Sequence, residues 1–345
     1  MKKAVVLICT VISFTVQVIA QQYRVACIGF YNLENLFDTL DDPHTFDEEF
    51  TPAGARLWDS TKYHGKLRNL ARVIAELGTD LSPDGPVILG VAEVENRRVL
   101  EDLVAQPAIA ARNYRIVHFD SPDRRGIDVG LLYQPTYFRP LGARSIRLDL
   151  KNQQGDSVYT RDILYVTGLL DTDTLHILVN HWPSRRGGEK ATRALRNAAA
   201  AECRAVKDSL IRLNPDAKVI VMGDLNDDPT SPSVAKVLLA KPKKSQLRQG
   251  DFYNPWYEPY KKGLGTLAYQ DAWSLFDQII ITEALVSGRN GGYRFYQARV
   301  FNPGYLVQKT GQFKGYPYRT FDFDNYIEGY SDHFPVCIYL LKPVP

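Results

Sequence analysis

Val219–Pro229 reads VIVMGDLNDDP. Val219–Met222 is an unbroken apolar run, the pattern of a strand buried on both faces. Gly223 then frees the backbone to turn. Asp224, Asn226, Asp227 and Asp228 follow at once. Clustered carboxylate and amide oxygens suit a hard divalent cation, which takes one or two carboxylates alongside water and substrate phosphate. The same letters also fit a plain Asp/Asn turn after a strand. The rest of the chain decides between them.

Several other strand signals end the same way. Val25–Tyr31 runs into Asn32-Leu33-Glu34-Asn35, and Val87–Ala92 (VILGVA) into Glu93-Val94-Glu95-Asn96. Leu175–Val179 runs into Asn180-His181-Trp182-Pro183, Asp277 stands at the entrance of Phe276–Thr282, and Ser331-Asp332-His333 precedes Phe334–Leu341. Each Asp or Asn alone is most simply a turn former. Six such ends built from Asn, Asp, Glu and His are not explained that way, because sites of α/β sheets collect at strand ends. Glu93 and Glu95 fall on the same side of a regular strand, so periodicity leaves the choice between them open.

Arg115–Phe119, Val129–Tyr133 and Ile163–Leu170 also read as strands. Thr61–Leu77 places Leu67, Leu70, Val73, Ile74 and Leu77 on one helical face, and Gly78 stops it. Val99–Ala111 and Ala191–Leu213 read as helices, and Ala240–Tyr269 and most of Phe301–Tyr330 as loop. Consecutive strands without a helix between them argue against a purely parallel sheet. The expected class is α/β (α+β): two mixed β-sheets packed together with helices outside.

No Ser or Cys elbow stands out as a nucleophile, and no Cys/His spacing points to zinc. The set suits metal-assisted attack of water on phosphorus, with a His/Asp pair handling the proton and amides steadying the charge.

These pieces, in this order, resemble the endonuclease/exonuclease/phosphatase superfamily with its deoxyribonuclease I-like fold. FYNLENLFD, GVAEVEN, RGIDVGLLY, NHWPSRRGG, VMGDLNDDP, DQIII and SDHFPV carry the resemblance across the mature chain, and look most like a secreted bacterial branch. It implies a four-layer sandwich with the site at one end. It implies Glu93 as principal metal carboxylate, with Asn32 beside it and Glu34 and Asp332 near. Asp224 would orient or deprotonate the attacking water, and Asn226 would hold a phosphoryl oxygen. His333 would be general base or charge partner, oriented by Asp277. His181 would donate to the phosphoryl oxygens with Asp128 as its carboxylate partner. The cation expected first is Mg²⁺, with Mn²⁺ or Ca²⁺ as alternatives.

Around this set, Asn180, Arg185 and Trp273 are candidate substrate contacts. Arg185 and Arg186, with Arg193 and Arg196 early in the next helix, offer a phosphate site, although Arg196 fits a solvated basic face equally well. Tyr253, Trp256, Tyr257, Tyr260, Tyr269 and Trp273, interleaved with Lys261 and Lys262, suit either base stacking or loop packing. Lys62, Lys66 and Arg68 read as helix surface, and Asp227 and Asp228 as turn formers.

Lys2-Lys3, the apolar run Ala4–Val18 and the small residue Ala20 before Gln21 read as a secretory signal peptide cut after Ala20. A single catalytic domain over 21–345, secreted or periplasmic, is expected. Cleavage takes the formal charge from +3 towards zero, so net charge gives no argument for nucleic acid. It also leaves three cysteines, Cys27, Cys203 and Cys337, so at least one thiol stays free. The expected activity is a divalent-metal-dependent phosphoesterase, foremost a monomeric nuclease on DNA or RNA. A sphingomyelinase-like or inositol-phosphate phosphatase activity is the alternative, and a catalytically silent binding protein the reading from another class. A lipid enzyme calls for an exposed apolar hairpin, for which Phe295–Phe301 is the nearest candidate. A polyphosphate phosphatase calls for denser basic residues than Arg185-Arg186.

Overall fold

The computed structural model describes residues 21–152 and 154–344; the signal-peptide reading of 1–20 lies outside them. In chain order the principal elements are β1 (Tyr23–Leu36), α1 (Ser60–Glu76), β2 (Pro86–Val94), α2 (Arg97–Val104), β3 (Arg115–His118), β4 (Asp128–Tyr133), β5 (Phe138–Ile146), β6 (Ile163–Leu170), β7 (Asp173–His181), α3 (Glu189–Leu213), β8 (Lys218–Asp224), β9 (Phe252–Tyr253), β10 (Asp277–Thr282), β11 (Arg294–Val300) and β12 (Val336–Pro343). They form two six-stranded sheets, ordered β11-β12-β1-β2-β4-β3 and β9-β10-β8-β7-β6-β5.

The two sheets are mixed in the same way. Each has one parallel pair at its centre, β1 with β2 and β7 with β8. The flanking pairings are antiparallel. Parallel neighbours finish at the same end, so each sheet delivers two carboxyl ends side by side. Those four ends are Asn32-onward, Glu93, His181 and Asp224.

Alternation sorts the side chains between two cores. Ile220 and Met222 of β8 face the space between the sheets, with Phe30, Val179 and Ile279. Val219 and Val221 face outward, where Ala199, Ala200 and Cys203 of α3 cover them. The sheets approach closest at Gly90, where an added Cβ would lie 2.6 Å from Met222 Sδ and 3.1 Å from Phe30. Gly223 is equally constrained, since a Cβ there would lie 2.1 Å from Asn180 O.

Several local expectations are corrected. The helix read over Val99–Ala111 breaks: α2 ends at Val104, and a separate turn, Pro107–Ala110, follows because Pro107 cannot donate to an ongoing helix. The edge strand β5 escapes sequence reading because Arg139, Pro140, Gly142 and Arg144 interrupt its apolar pattern. Phe295–Phe301 is not a free hairpin: Arg294–Val300 is bonded to β12, with Phe295 and Val300 buried. Lys66 is not helix surface. It is buried, and its Nζ donates to Thr320 Oγ1 at 2.5 Å, Tyr330 O at 2.8 Å and Glu34 Oε2 at 3.3 Å. Cys27, Cys203 and Cys337 are buried free thiols.

Arg196 is likewise not a solvated helix residue. Its Nε lies 2.9 Å from Asp227 Oδ2, and both side chains are fully buried. Asp227 also accepts from Ser233 Oγ at 2.6 Å and Arg185 Nη2 at 3.0 Å. The acid that looked like a turn former fastens the turn after β8 to the start of α3. Removing one partner of a buried pair strands the other charge, at a cost of about 3–5 kcal/mol. Asp227→Ala is therefore expected to lower unfolding free energy by about that amount in a denaturant titration. A loss below about 1 kcal/mol, the range of exposed pairs, would contradict this anchoring.

Candidate active site

Asn32, at the carboxyl end of β1, is fully buried. Its Nδ2 donates to Glu93 Oε1 at 3.1 Å and to Asp224 Oδ2 at 3.1 Å, joining an acid of one sheet to an acid of the other. Its Oδ1 accepts from the Glu34 N–H at 2.9 Å. The expected oxygen ligand is thus, in this arrangement, a bridging donor. Asn35 N donates to Glu93 Oε2 at 3.0 Å.

Glu34, Asn35, Glu93 and Asn226 all have positive φ, between 48° and 60°. Non-glycine residues there are uncommon and cluster at functional positions. At Glu93 this settles what periodicity left open. The ladder shifts register between Ala92 and Val94, so Glu93 turns toward Asn32. Glu95 instead accepts from Asp38 N at 2.5 Å. Burial, together with Asp38, Asp47 and Asp42, pushes its carboxyl up to about 8.

Two histidines flank Asp224. His181 Nε2 lies 3.6 Å from Asp224 Oδ2 and 3.8 Å from Glu93 Oε1. Its Nδ1 is buried without a partner. Burial, then the Arg161 and Arg125 cations, hold its pKa well below the ordinary range. That direction favours the neutral ring, and Nε2 is the nitrogen that faces the two carboxylates. His333 Nδ1 lies 2.7 Å from Asp277 Oδ2, and its Nε2 lies 3.8 Å from Asp224 Oδ2. Burial opposes its charge, but Asp277 and Asp224 outweigh burial and raise its pKa well above the ordinary range. Ser331 holds it in place, donating to Asn32 O at 2.7 Å and accepting from His333 N at 3.1 Å.

The acids are under-compensated. Burial pushes Asp224 up to about 7, with Asp277 and Glu93 adding to it and His333 opposing. Burial and Glu34 push Asp332 up to about 6, although Arg319 Nη2 is 3.3 Å away. Glu93, His181 and Asp224 offer ligand atoms within 4.8 Å of one another. Buried oxygen donors with raised pKa values fit a hard divalent cation, which would relieve their mutual repulsion.

Other expected residues do not join this cluster. Asp128 pairs with His118 Nε2 at 3.0 Å and accepts from Ser121 N at 2.8 Å, so it is not the partner of His181. That region instead supplies Asp123, which holds Arg161 at 2.8 Å, while Arg161 grips His181 O at 3.1 Å and Trp182 O at 2.6 Å. Glu34 is drawn off by Lys66 and by Thr320 N at 2.8 Å. Asn180 points to the opposite face from His181, donating to Met222 O at 3.2 Å and accepting from Trp182 Nε1 at 3.0 Å. Arg185 is pinned by Asn226 O at 2.8 Å and Asp227 at 3.0 Å rather than free for phosphate. Asp228 accepts from Leu275 N at 2.9 Å and so closes the same turn. Asn226 gives one N–H to Trp182 O at 3.0 Å and retains a second. Trp273, 37% exposed, stacks on Phe334 beside His333 with centroids 6.0 Å apart.

Arg161, Lys66 and Arg319 were not singled out as part of the site from sequence. Each is a lone basic residue without a repeating pattern around it. Only the folded partners reveal it.

Fold and site together define a deoxyribonuclease I-like sandwich with its acids, amides and histidines gathered at one end. The chain belongs to the endonuclease/exonuclease/phosphatase family, whose model matches residues 27–342. It is similar in structure to a humanized D. rerio TDP2 carrying 14 mutations, at 15% identity, TM-score 0.54, covering 92% of this chain and 98% of that one. It is also similar to D. rerio TDP2 complexed with single strand DNA product, at 15% identity, TM-score 0.53, covering 92% and 98%. A family protein from Bacteroides thetaiotaomicron is similar at 14% identity, TM-score 0.53, covering 94% and 100%. At these identities the likeness is one of fold. No curated protein matches the chain in sequence.

The opposed protonation of the two histidines is directly measurable. In chelated protein at pH 7, nitrogen-15 NMR is expected to show His181 neutral with its proton on Nε2 and His333 cationic. His333 should lose its proton only well above the ordinary value of roughly 6.5. Asp277→Asn should bring that titration down. A neutral His333 at pH 7 would contradict the pairing.

Proposed function

We propose that this protein is an exported, divalent-metal-dependent phosphodiesterase that hydrolyses nucleic acid. The observation that carries it is Asp224 placed between two buried histidines, His181 and the Asp277-paired His333, beside Glu93. When bound, a divalent cation supplies Lewis-acid polarisation of a phosphoryl oxygen. Glu93 would hold it, with Asp332 alongside, and Mg²⁺ suits such oxygen-rich donors first.

The chain's own groups then have distinct tasks. Asp224 orients the attacking water and takes its proton, and a carboxyl raised to about 7 suits a base near neutrality. His181 donates a hydrogen bond from Nε2–H to a phosphoryl oxygen, and the spare N–H of Asn226 supports the same oxygens. His333, fixed by Asp277, places a positive charge where negative charge builds in the transition state. Charge partner is thus preferred over general base for His333. Burial, seconded by the Arg161 cation, disfavours charge on His181, and Arg161 fixes its backbone.

Nucleic acid is favoured by Trp273 at the rim, and a structural neighbour of this chain, D. rerio TDP2, is complexed with single strand DNA product. Arg185 and Arg196 are engaged by Asp227, and Arg193 by Glu189 at 2.7 Å, which argues against a polyphosphate site there. Phe295 lies in a paired strand, which removes that candidate for membrane docking. Export rests on the signal-peptide pattern of residues 1–20 and stays part of the proposal. The acids and histidines the chemistry needs are all present, which disfavours a silent binding protein.

Purified protein is expected to cleave plasmid DNA or RNA with Mg²⁺ or Mn²⁺ and to stop on chelation. Glu93→Ala and His333→Ala should each lower kcat/KM by about 10³-fold, the scale for losing a group that stabilises the transition state. Cleavage of sphingomyelin or inositol phosphates alone would move the protein to the alternative class. Unchanged turnover in both variants would refute the assigned site.

A further inference from the structure

Beyond Glu34 the surface opens into a second cleft of about 210 Å³. We propose that this cleft, walled by Phe313, Phe323, Arg56 and Arg319, binds a nucleobase next to the scissile phosphodiester. The inference rests on the nucleic-acid reading above and names the part of the substrate that the site holds.

The cleft and the acid cluster share their walls. Glu34 lies between them, two residues from Asn32, and its carboxylate accepts from Thr320 N at 2.8 Å. Arg319, on the cleft wall, reaches Asp332 at 3.3 Å, and Asp332 is 4.0 Å from His333 Nε2. A phosphate at the acids and a base in the cleft are therefore neighbouring groups of one nucleotide strand.

The lining has the chemistry of a base-stacking platform. Phe323 is 68% exposed at the tip of the hairpin that pairs Phe321 with Tyr326. Its φ is +52°, a conformation that hairpin tips normally give to Asn or Gly. A bulky ring held there, facing solvent, is the opposite of what core packing selects. Arg56 Nη1 steadies the tip by donating to Phe323 O at 2.5 Å. Phe313 lies 5.8 Å from Phe323, and the Arg319 guanidinium lies 5.1 Å over the Phe313 ring. Aromatic faces beside guanidinium groups are how single strands are gripped without sequence readout. An acyl chain in the same cleft would desolvate two guanidinium groups and the Glu34 carboxylate without pairing them.

The test uses a single-stranded DNA oligonucleotide with one cleavable linkage flanked by 2-aminopurine, and the same strand with abasic sugars at those positions. Phe323 is exposed, so Phe323→Ala leaves the core intact, and Phe323→Tyr retains the stacking face. Binding is expected to quench 2-aminopurine in the wild type and in Phe323→Tyr, and not in Phe323→Ala. kcat/KM on the base-bearing strand should fall about tenfold in Phe323→Ala, within the range for losing one stacking aromatic. On the abasic strand it should stay unchanged. An equal loss on both strands, or no loss on either, would overturn the cleft's role while the nuclease reading stands. If the wild type cleaves no oligonucleotide yet hydrolyses another phosphoester, the nuclease reading fails first. In that case weaker binding of Phe323→Ala to phosphatidylcholine–sphingomyelin vesicles would reassign the ring to a lipid surface and overturn the inference.

Discussion

The Asn32 amide holds the two halves of this molecule to a common centre. From β1 of one sheet it reaches Glu93 on the neighbouring strand and Asp224 on the facing sheet, each at 3.1 Å. Two carboxylates so close repel one another, and burial drives Asp224 toward protonation. A shared donor lets both stand at the same place, since hydrogen bonds to charged acceptors are the strong ones. The bridge is possible only because both sheets place a parallel pair at their centre and finish those pairs at one end. Gly90 and Gly223 permit the required closeness, one between the sheets and one between β7 and β8.

Electrostatics then divides the labour. The two histidines face the same Asp224 yet are pushed in opposite directions: burial opposes charge on both, and their far sides differ. Behind His181 stands a cation, Arg161; behind His333 stands an anion, Asp277. Neither outcome follows from the residue type. Both follow from what the next layer of buried residues presents: Arg161, held by Asp123, on one side and Asp277 on the other.

The strand ends were legible in sequence because each combines a strong apolar run with a polar terminus. That pattern located Asn32, Glu93, His181, Asp224, Asp277 and His333, and the structure brings these six together. Second-layer partners were not legible. Asp128 was assigned to His181, but β3 carries His118 to it first, a pairing set by sheet register rather than by any local motif. Lys66 reads as helix surface, Arg196 as a phosphate contact or a solvated face, and Asp227 as a turn former, because charged residues normally lie outside. Each is buried by a partner remote in sequence. Asn180 was grouped with His181 by adjacency, although neighbouring strand residues face opposite sides. Glu93 was separable from Glu95 only through a register shift and a positive φ, neither of which leaves a mark in composition.

Around this centre the rim changes character, from the acids under Trp273 on one side to the aromatic and guanidinium cleft beyond Glu34 on the other. In the proposed reaction a divalent cation and the scissile phosphate meet where the two sheets join. Anomalous scattering from crystals soaked in Mn²⁺ tests it most directly. The account predicts a peak at about 2.0–2.3 Å from a Glu93 carboxylate oxygen, the distance of hard-cation coordination. A peak confined to the His118, Asp120 and Asp128 cluster, with none at Glu93, would contradict it.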